Sequence, residues 1–224
     1  ISHLIVQKTE RYSDNIFSRS FQRISERGLI VFVNNFFFKL LCKLEALAIR
    51  RTPQFDALFG SYNLSEFGLD IVYVEPNISS NGLVYRYSES DLNKLELLNL
   101  NLLIRGGSGI LRGRILQLCE HGVISFHHAD NDLIRGGPPG FWEVLNKEKR
   151  TGFMIQILKD ELDGGDVLFK GYFSTSLMYT LNFANLLEKA NPFLHQVIEK
   201  LVRGSLHLKV YPKCPYAYPL YTIP

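Results

Sequence analysis

Two adjacent histidines and a distant acidic turn carry the side chains of this sequence that are best suited to proton transfer. His127 and His128 follow an apolar stretch, and Asp163 lies in an acidic turn at residues 160–166. Imidazole changes protonation near neutral pH, and a neighbouring carboxylate orients the ring and favours its cationic form. We therefore predict that His127 and Asp163 form a centre that stabilises an oxyanion or moves a proton. The alternative is a packed histidine at a strand end and an ordinary turn aspartate.

Apolar periodicity divides the chain into the strands and helices that must position these groups. It predicts strands at residues 3–7, 70–75, 84–87, 100–104, 123–126, 152–158 and 167–171. It predicts helices at residues 13–27, 29–51, 91–98, 111–120 and 141–146, and one or two helices at 176–203. Ser90 is the expected N-cap of the helix at 91–98. The regular alternation after residue 100 predicts an α/β fold, a Rossmann-like, mostly parallel sheet with helices on both faces.

Three loops of the predicted sheet contain the polar residues of interest. They follow Ile104, Phe126 and Leu158. Ligands of open α/β sheets bind beyond the carboxyl ends of the strands, so we expect these loops to share one rim.

The predicted domain organisation is one α/β domain with an extension. The domain covers residues 1–175, and its N-terminal part is open to being incomplete because the chain starts at Ile1 rather than Met. Residues 176–224 are predicted to be a helical and Pro/Tyr-rich extension packed on the same domain. The prolines near its end prevent a continuous helix and favour an extended segment.

The amino-acid composition limits which classes of binding partner and which cellular compartment are expected. A formal charge of +3 without a dense Lys/Arg run predicts no nucleic-acid partner. Three cysteines without a CxxC pair favour a reduced, cytoplasmic protein, and no Cys/His spacing suggests a metal. Polar residues interrupt the apolar stretch at 29–48, so it is predicted to be a packed amphipathic helix rather than a membrane span. Attachment to a membrane surface is the alternative.

Four motifs in order resemble the folate-dependent formyltransferases. The segment GVISFHHADNDLIRGGPP at residues 122–139 is similar to that family's G-x-x-N-x-H-P-S-L-L-P strand and loop, with Arg135-Gly136 at the family's eight-residue offset from His127. The family's G-x-T strand corresponds to TGFM at 151–154, and its D-x-G turn to DELDGGD at 160–166. The likeness covers residues 100–171, about a third of the chain.

This resemblance implies formyl transfer from 10-formyltetrahydrofolate to a primary amine, without a metal. Attack on the formyl carbon creates an oxyanion that needs hydrogen-bond donors, and the amine must lose a proton. The family's asparagine is Ser125 here, and a hydroxyl reaches less far than an amide. Loss of one oxyanion donor costs about 10²–10³ in rate. His128 and Asn131 are candidates for compensation, and Arg135 either fixes the loop or binds an anionic acceptor.

The resemblance also implies where the pterin of the folate binds. By position, the backbone groups involved belong to Gly109, Ile110 and Leu111 and to Asp160, Glu161 and Leu162. Small residues allow the close backbone approach that a flat heterocycle requires. A phosphate loop at residues 106–109 is the alternative, but the lysine of the GxxxxGK[ST] motif is missing.

Three functions remain open at this point. The first is formyl transfer to a small acceptor, with an amino sugar or a sugar nucleotide as the example; no tRNA-binding barrel is recognisable in the tail. The second is hydrolysis of the formyl donor. The third is a degenerate binding module that retains the pocket without turnover, which Ser125 suggests. The acceptor and the oligomeric state are left open by the sequence.

Overall fold

The computed structural model describes residues 2–8, 29–80, 82–107, 109–130, 132–160 and 165–205 and the backbone of residues 220–221. Its strands are β1 His3–Gln7, β2 Asp70–Val74, β3 Pro76–Ile78, β4 Val84–Tyr87, β5 Leu103–Arg105, β6 Ile110–Leu111, β7 Val123–His127, β8 Arg135–Gly136, β9 Arg150–Ile157, β10 Asp166–Ser174 and β11 Leu220–Tyr221. Its helices are α1 Leu29–Ile49, α2 Pro53–Phe59, α3 Glu89–Glu96, α4 Phe141–Leu145 and α5 Tyr179–Val202, with 3-10 turns at Leu64–Phe67 and Arg114–Gln117. The helix predicted at 13–27 lies outside the described residues.

A four-stranded sheet in the order β10-β9-β7-β5 holds the strands with the predicted catalytic residues. β5 and β7 are parallel, whereas β9 runs antiparallel to β7, and β10 runs antiparallel to β9. The predicted α/β class is therefore confirmed. The expectation that the loops after Ile104, Phe126 and Leu158 share one rim is wrong, because β9 ends where Ile157 pairs with Ile124 near the start of β7.

The connection from β7 to β9 includes only one short α-helix among the described residues. α4 has 5 residues and therefore extends for about 7.5 Å. A parallel neighbour of β7 needs a crossover long enough to return the chain along the whole sheet. β9 instead starts beside the end of β7, where Met154 pairs with His127.

The face of this sheet that packs on α5 is apolar. Ile124, Phe153 and Ile155 are fully buried, and they belong to one cluster with Ala190 and Val197 of α5. α5 in turn is fixed to α1, because the Glu45 carboxylate accepts hydrogen bonds from the amides of Tyr179 and Thr180 at 3.2 and 2.6 Å. A carboxylate at a helix N-terminus satisfies otherwise orphaned amides and interacts favourably with the helix dipole.

A second apolar cluster lies on the opposite side, at the amino ends of β5 and β7. It combines buried side chains of β2, α3, β6, the second 3-10 turn and β7, namely Val74, Leu92, Leu95, Leu111, Ile115, Leu116 and Val123. This cluster leaves the carboxyl ends of β5 and β7 to other side chains.

Two local predictions are corrected between residues 84 and 120. Residues 111–120 do not form the predicted helix: β6 pairs in parallel with β4, and Gly113 adopts a φ of 87°, which ends β6 and excludes an α-helix at that position. The N-cap of α3 is Ser88 rather than Ser90, since the Ser88 hydroxyl accepts from the Asp91 amide at 3.2 Å.

The described helices include none that is both long and apolar enough to cross a membrane. α1 is helical over nearly the whole stretch predicted from residues 29–51.

Candidate active site

The second face of the sheet becomes polar toward the carboxyl ends of β5 and β7. Residues that pair directly across strands point to the same face. Arg105 pairs with Ser125, and Ser125 pairs with Gln156. One step further along, His127 pairs with Met154, and Met154 pairs with Lys170. One surface of the sheet therefore carries two cross-strand rows of side chains. The first row is Arg105, Ser125 and Gln156, and the second is His127, Met154 and Lys170.

Ser125 and His127 lie two residues apart on β7 and therefore share this polar face. The Ser125 hydroxyl donates to the Phe126 carbonyl at 3.0 Å. His127 is half-buried at the end of the strand, next to the loop that starts at His128. This placement agrees with a strand-end histidine that faces a site.

His128 lies beside Phe126 instead. The two rings stack with centroids 5.5 Å apart and an interplanar angle of 20°. Burial lowers the pKa of His128 to about 4, and the neighbouring His127 contributes to the decrease. The His128 ring is therefore neutral at neutral pH, so it can donate from only one of its nitrogens.

A buried charge network fixes the loop after β7. Asp130 is 5% exposed, and its carboxylate accepts from Lys170 Nζ at 3.0 Å and from the Tyr172 hydroxyl. Lys170 also contacts Asp132. Burial raises the pKa of Asp130, but the hydrogen bonds from Tyr172, the Asp132 amide and Lys170 outweigh burial and hold it below its usual value. The loop beside His127 is thereby tied to β10 by a carboxylate that stays ionised.

The two segments predicted to bind the pterin are adjacent. The Gly113 amide, just beyond Leu111, donates to the Asp160 carboxylate at 3.1 Å. Gly109 has a φ of 83°, and a Cβ at this position would come within 2.3 Å of the Tyr85 ring, so only glycine fits there. The backbone of β6 and the start of the acidic turn thus form one border of the polar face.

The acidic turn rejoins the sheet against a buried glutamine. A Cβ on Gly165 would lie 2.5 Å from the Ile157 carbonyl oxygen and 3.1 Å from Gln156 Oε1. Gln156 pairs with Ser125, and its exposure is 7%. The far end of the turn is therefore in contact with the row that contains Ser125.

Several predicted residues cannot be placed at the same level of detail. Asn131, Glu161, Leu162 and Asp163 lie outside the described residues. Arg135 is described only by its backbone, which pairs in parallel with Leu220 in β11. Their roles, and those of the other site residues, stay predictions.

No protein-family model matches the chain. Among curated proteins, it is 36% identical over 80 residues to methionyl-tRNA formyltransferase from Caldanaerobacter subterraneus, which covers 35% of this chain and 26% of the relative. It is 26% identical over 123 residues to methionyl-tRNA formyltransferase from Bacillus licheniformis, covering 53% and 38%. The chain is thus similar to methionyl-tRNA formyltransferases over between a third and about half of its own length. This confirms the resemblance carried by the four motifs.

Solved formyltransferases support the fold assignment alone. Glycinamide ribonucleotide transformylase 1 from Symbiobacterium toebii matches with a TM-score of 0.55 and 13% identity, over 65% of this chain and 69% of that one. HypX from Aquifex aeolicus matches with a TM-score of 0.51 and 15% identity, over 71% and 26%. The chain spans between about a quarter and two fifths of the two curated relatives.

Sequence reasoning missed three residues of the polar face. Gln156, Lys170 and Tyr172 each alternate with apolar neighbours along β9 or β10. That period of two was the available signal. Asp130 has no comparable local signal, because its partners Lys170 and Tyr172 are about 40 residues away in sequence.

Proposed function

We propose that this chain transfers a formyl group from 10-formyltetrahydrofolate to a primary amine of a small acceptor, with an amino sugar or a sugar nucleotide as the preferred class. The observation that carries the proposal is the shared face of Ser125 and His127, bordered by β6 and the acidic turn. In this proposal, a folate bound by the backbone of those segments presents its formyl group to Ser125 and His127.

The residues divide the chemistry as follows. His127 donates a hydrogen bond to the formyl oxygen as negative charge develops there. Asp163 keeps the imidazole oriented and accepts, through water, the proton that the attacking amine loses. The pterin ring of folate lies against the backbone of β6, where Gly109 has no side chain and packs closely on the Tyr85 ring. Asp160 holds the Gly113 amide and thereby joins the two pterin-binding segments.

The decisive assay compares formyl transfer with hydrolysis. The protein is incubated with 10-formyltetrahydrofolate and a panel of amino sugars and nucleotide-linked amino sugars, and formylated product and formate are quantified by mass spectrometry. Product that requires an amine supports the proposal, whereas formate formed equally with and without an amine identifies a hydrolase.

A degenerate binding module is the second candidate, because Ser125 replaces the family's amide donor. Calorimetry with a non-reactive folate analogue separates it from the enzyme. Saturable binding without turnover of any amine identifies the binding module. Absence of both binding and turnover contradicts a folate site altogether.

A further inference from the structure

The hydroxyl of Ser125 is engaged within its own strand. It donates to the Phe126 carbonyl at 3.0 Å, so its hydrogen is directed at backbone rather than at the space above the sheet. A serine side chain is also shorter than the family's asparagine by one heavy-atom position. The polar face thus lacks an amide at the point on β7 where the family pattern has one.

Gln156 brings a side-chain amide to the same location from the neighbouring strand. It pairs with Ser125 in register, and directly paired residues have Cβ atoms about 4.5–5.5 Å apart on one face. Its side chain is one methylene longer than asparagine and begins one strand away. The small Ser125 side chain leaves room for a longer neighbour to reach over it.

Gln156 is nearly buried between the acidic turn and the row of Ser125. The side chain is 7% exposed, and Gly165 contacts it from the acidic turn. Arg105 of β5 pairs with Ser125 on the side away from Gln156. Met154 lies two residues before Gln156 on β9 and belongs to the neighbouring row, which contains His127. A buried amide with this geometry is preorganised, because it gives up little rotamer freedom when it binds a ligand oxygen.

We propose that Gln156 Nε2 donates the hydrogen bond to the formyl oxygen that the family's asparagine supplies from the Ser125 position. This inference rests on the proposed formyl transfer. In that reaction a bond forms between the acceptor nitrogen and the formyl carbon, the bond from that carbon to N10 of the folate breaks, and the proton of the amine ends on N10. Gln156 stabilises the oxyanion between these events and is chemically unchanged.

The test removes the amide and then restores it from the opposite strand. Gln156→Met keeps the length of the side chain without a donor, and we expect kcat to fall about 10²–10³-fold, the usual effect of losing an oxyanion donor. The KM for 10-formyltetrahydrofolate should change less than about threefold. Adding Ser125→Asn to Gln156→Met should recover at least tenfold in kcat, because the amide then comes from β7. Gln117→Met, at an exposed position, is the matched control.

The probe is 10-formyltetrahydrofolate with hydroxylamine as a minimal nucleophile, so that the assay does not depend on the natural acceptor. If Gln156→Met is poorly folded by circular dichroism, Gln156→Glu replaces it, since it is isosteric and lacks the donor when ionised. Unchanged kcat in a folded variant overturns the inference, as does a raised KM with unchanged kcat, which indicates a purely structural role. Failure of Ser125→Asn to rescue also overturns it. Absence of turnover in the unmutated protein with hydroxylamine and with every amine of the panel instead contradicts the proposed function itself.

Discussion

The two faces of the four-stranded sheet differ in what their side chains contact. On one face, Phe153 and Ile155 are at most 1% exposed and pack against α5. On the other, Gln156 alternates with them along β9, and Lys170 of β10 donates to the Asp130 carboxylate. Strand geometry assigns successive residues to opposite faces, so one short segment contributes to the core and to the site at once.

Within a single strand, the residues that stabilise the fold alternate with the residues that face the candidate site. The apolar face obtains its free energy from buried area and close packing. The polar face carries groups whose burial costs free energy unless they are paired, as the Asp130–Lys170–Tyr172 network is. Substitutions on the first face should therefore alter the free energy of unfolding. On the second face, substitutions at His127 or Gln156 should alter turnover, whereas a substitution that breaks the charge network should also lower stability.

The largest expected effect concerns His127 on the polar face. His127→Ala should lower turnover of 10-formyltetrahydrofolate by about 10²–10⁴-fold, because a positioned acid or base contributes that much. The midpoint of urea unfolding should change little. His195→Ala, on an exposed part of α5, is the control for loss of an imidazole. Equal turnover of His127→Ala and the unmutated protein would remove His127 from the site.

On the apolar face, Phe153→Ala should destabilise the fold by about 3–5 kcal/mol. Phe153 is 1% exposed, and its ring lies 5.5 to 6.0 Å from those of Phe169, Phe173 and Phe193. Equilibrium urea denaturation measures the loss. A change below 1 kcal/mol would show that the cluster repacks and that the two faces are less distinct than proposed.

Lys170→Met tests the buried charge network of the polar face. The side chains of Lys170 and Asp130 are 10% and 6% exposed, so the variant leaves a buried carboxylate without its cation, and we expect a loss of about 3 kcal/mol. The control is Lys159→Met, whose partner Asp166 is half-exposed, with an expected loss of about 0–1 kcal/mol. Similar losses in the two variants would contradict a network specific to the site.

The last expected effect concerns pH. Because the folded pKa of His128 is about 4 and the unfolded value is 6.5, the unfolded chain takes up the proton first as pH falls. The stability present above pH 6.5 is thus lost between pH 6.5 and about 4, by at most about 1.4 kcal/mol per pH unit. His128→Asn should flatten the dependence of unfolding free energy on pH in this window, and His195→Asn should not. An unchanged slope in His128→Asn would contradict burial of the ring beside Phe126.

Sequence reasoning succeeded where a signal is local. β1 and β4 have the predicted bounds, and the apolar run before His127 forms β7. It failed at residues 111–120. The apolar spacing there is compatible with a helix, but the segment starts in β6, which pairs in parallel with β4. The secondary structure of such a segment depends on strands that are distant in sequence, and the apolar periodicity of ten residues carries no information about those strands.

The amino-acid sequence by itself determined the resemblance to the formyltransferases, the alternation of strand residues and the position of His127 at a strand end, because these depend on residue type and local spacing. Only the tertiary structure decided that β9 runs antiparallel to β7. That reversal places Gln156 opposite Ser125 and Lys170 in the row of His127. The physical reason is that cross-strand register follows from the length of the connections and from packing of the whole sheet on α5.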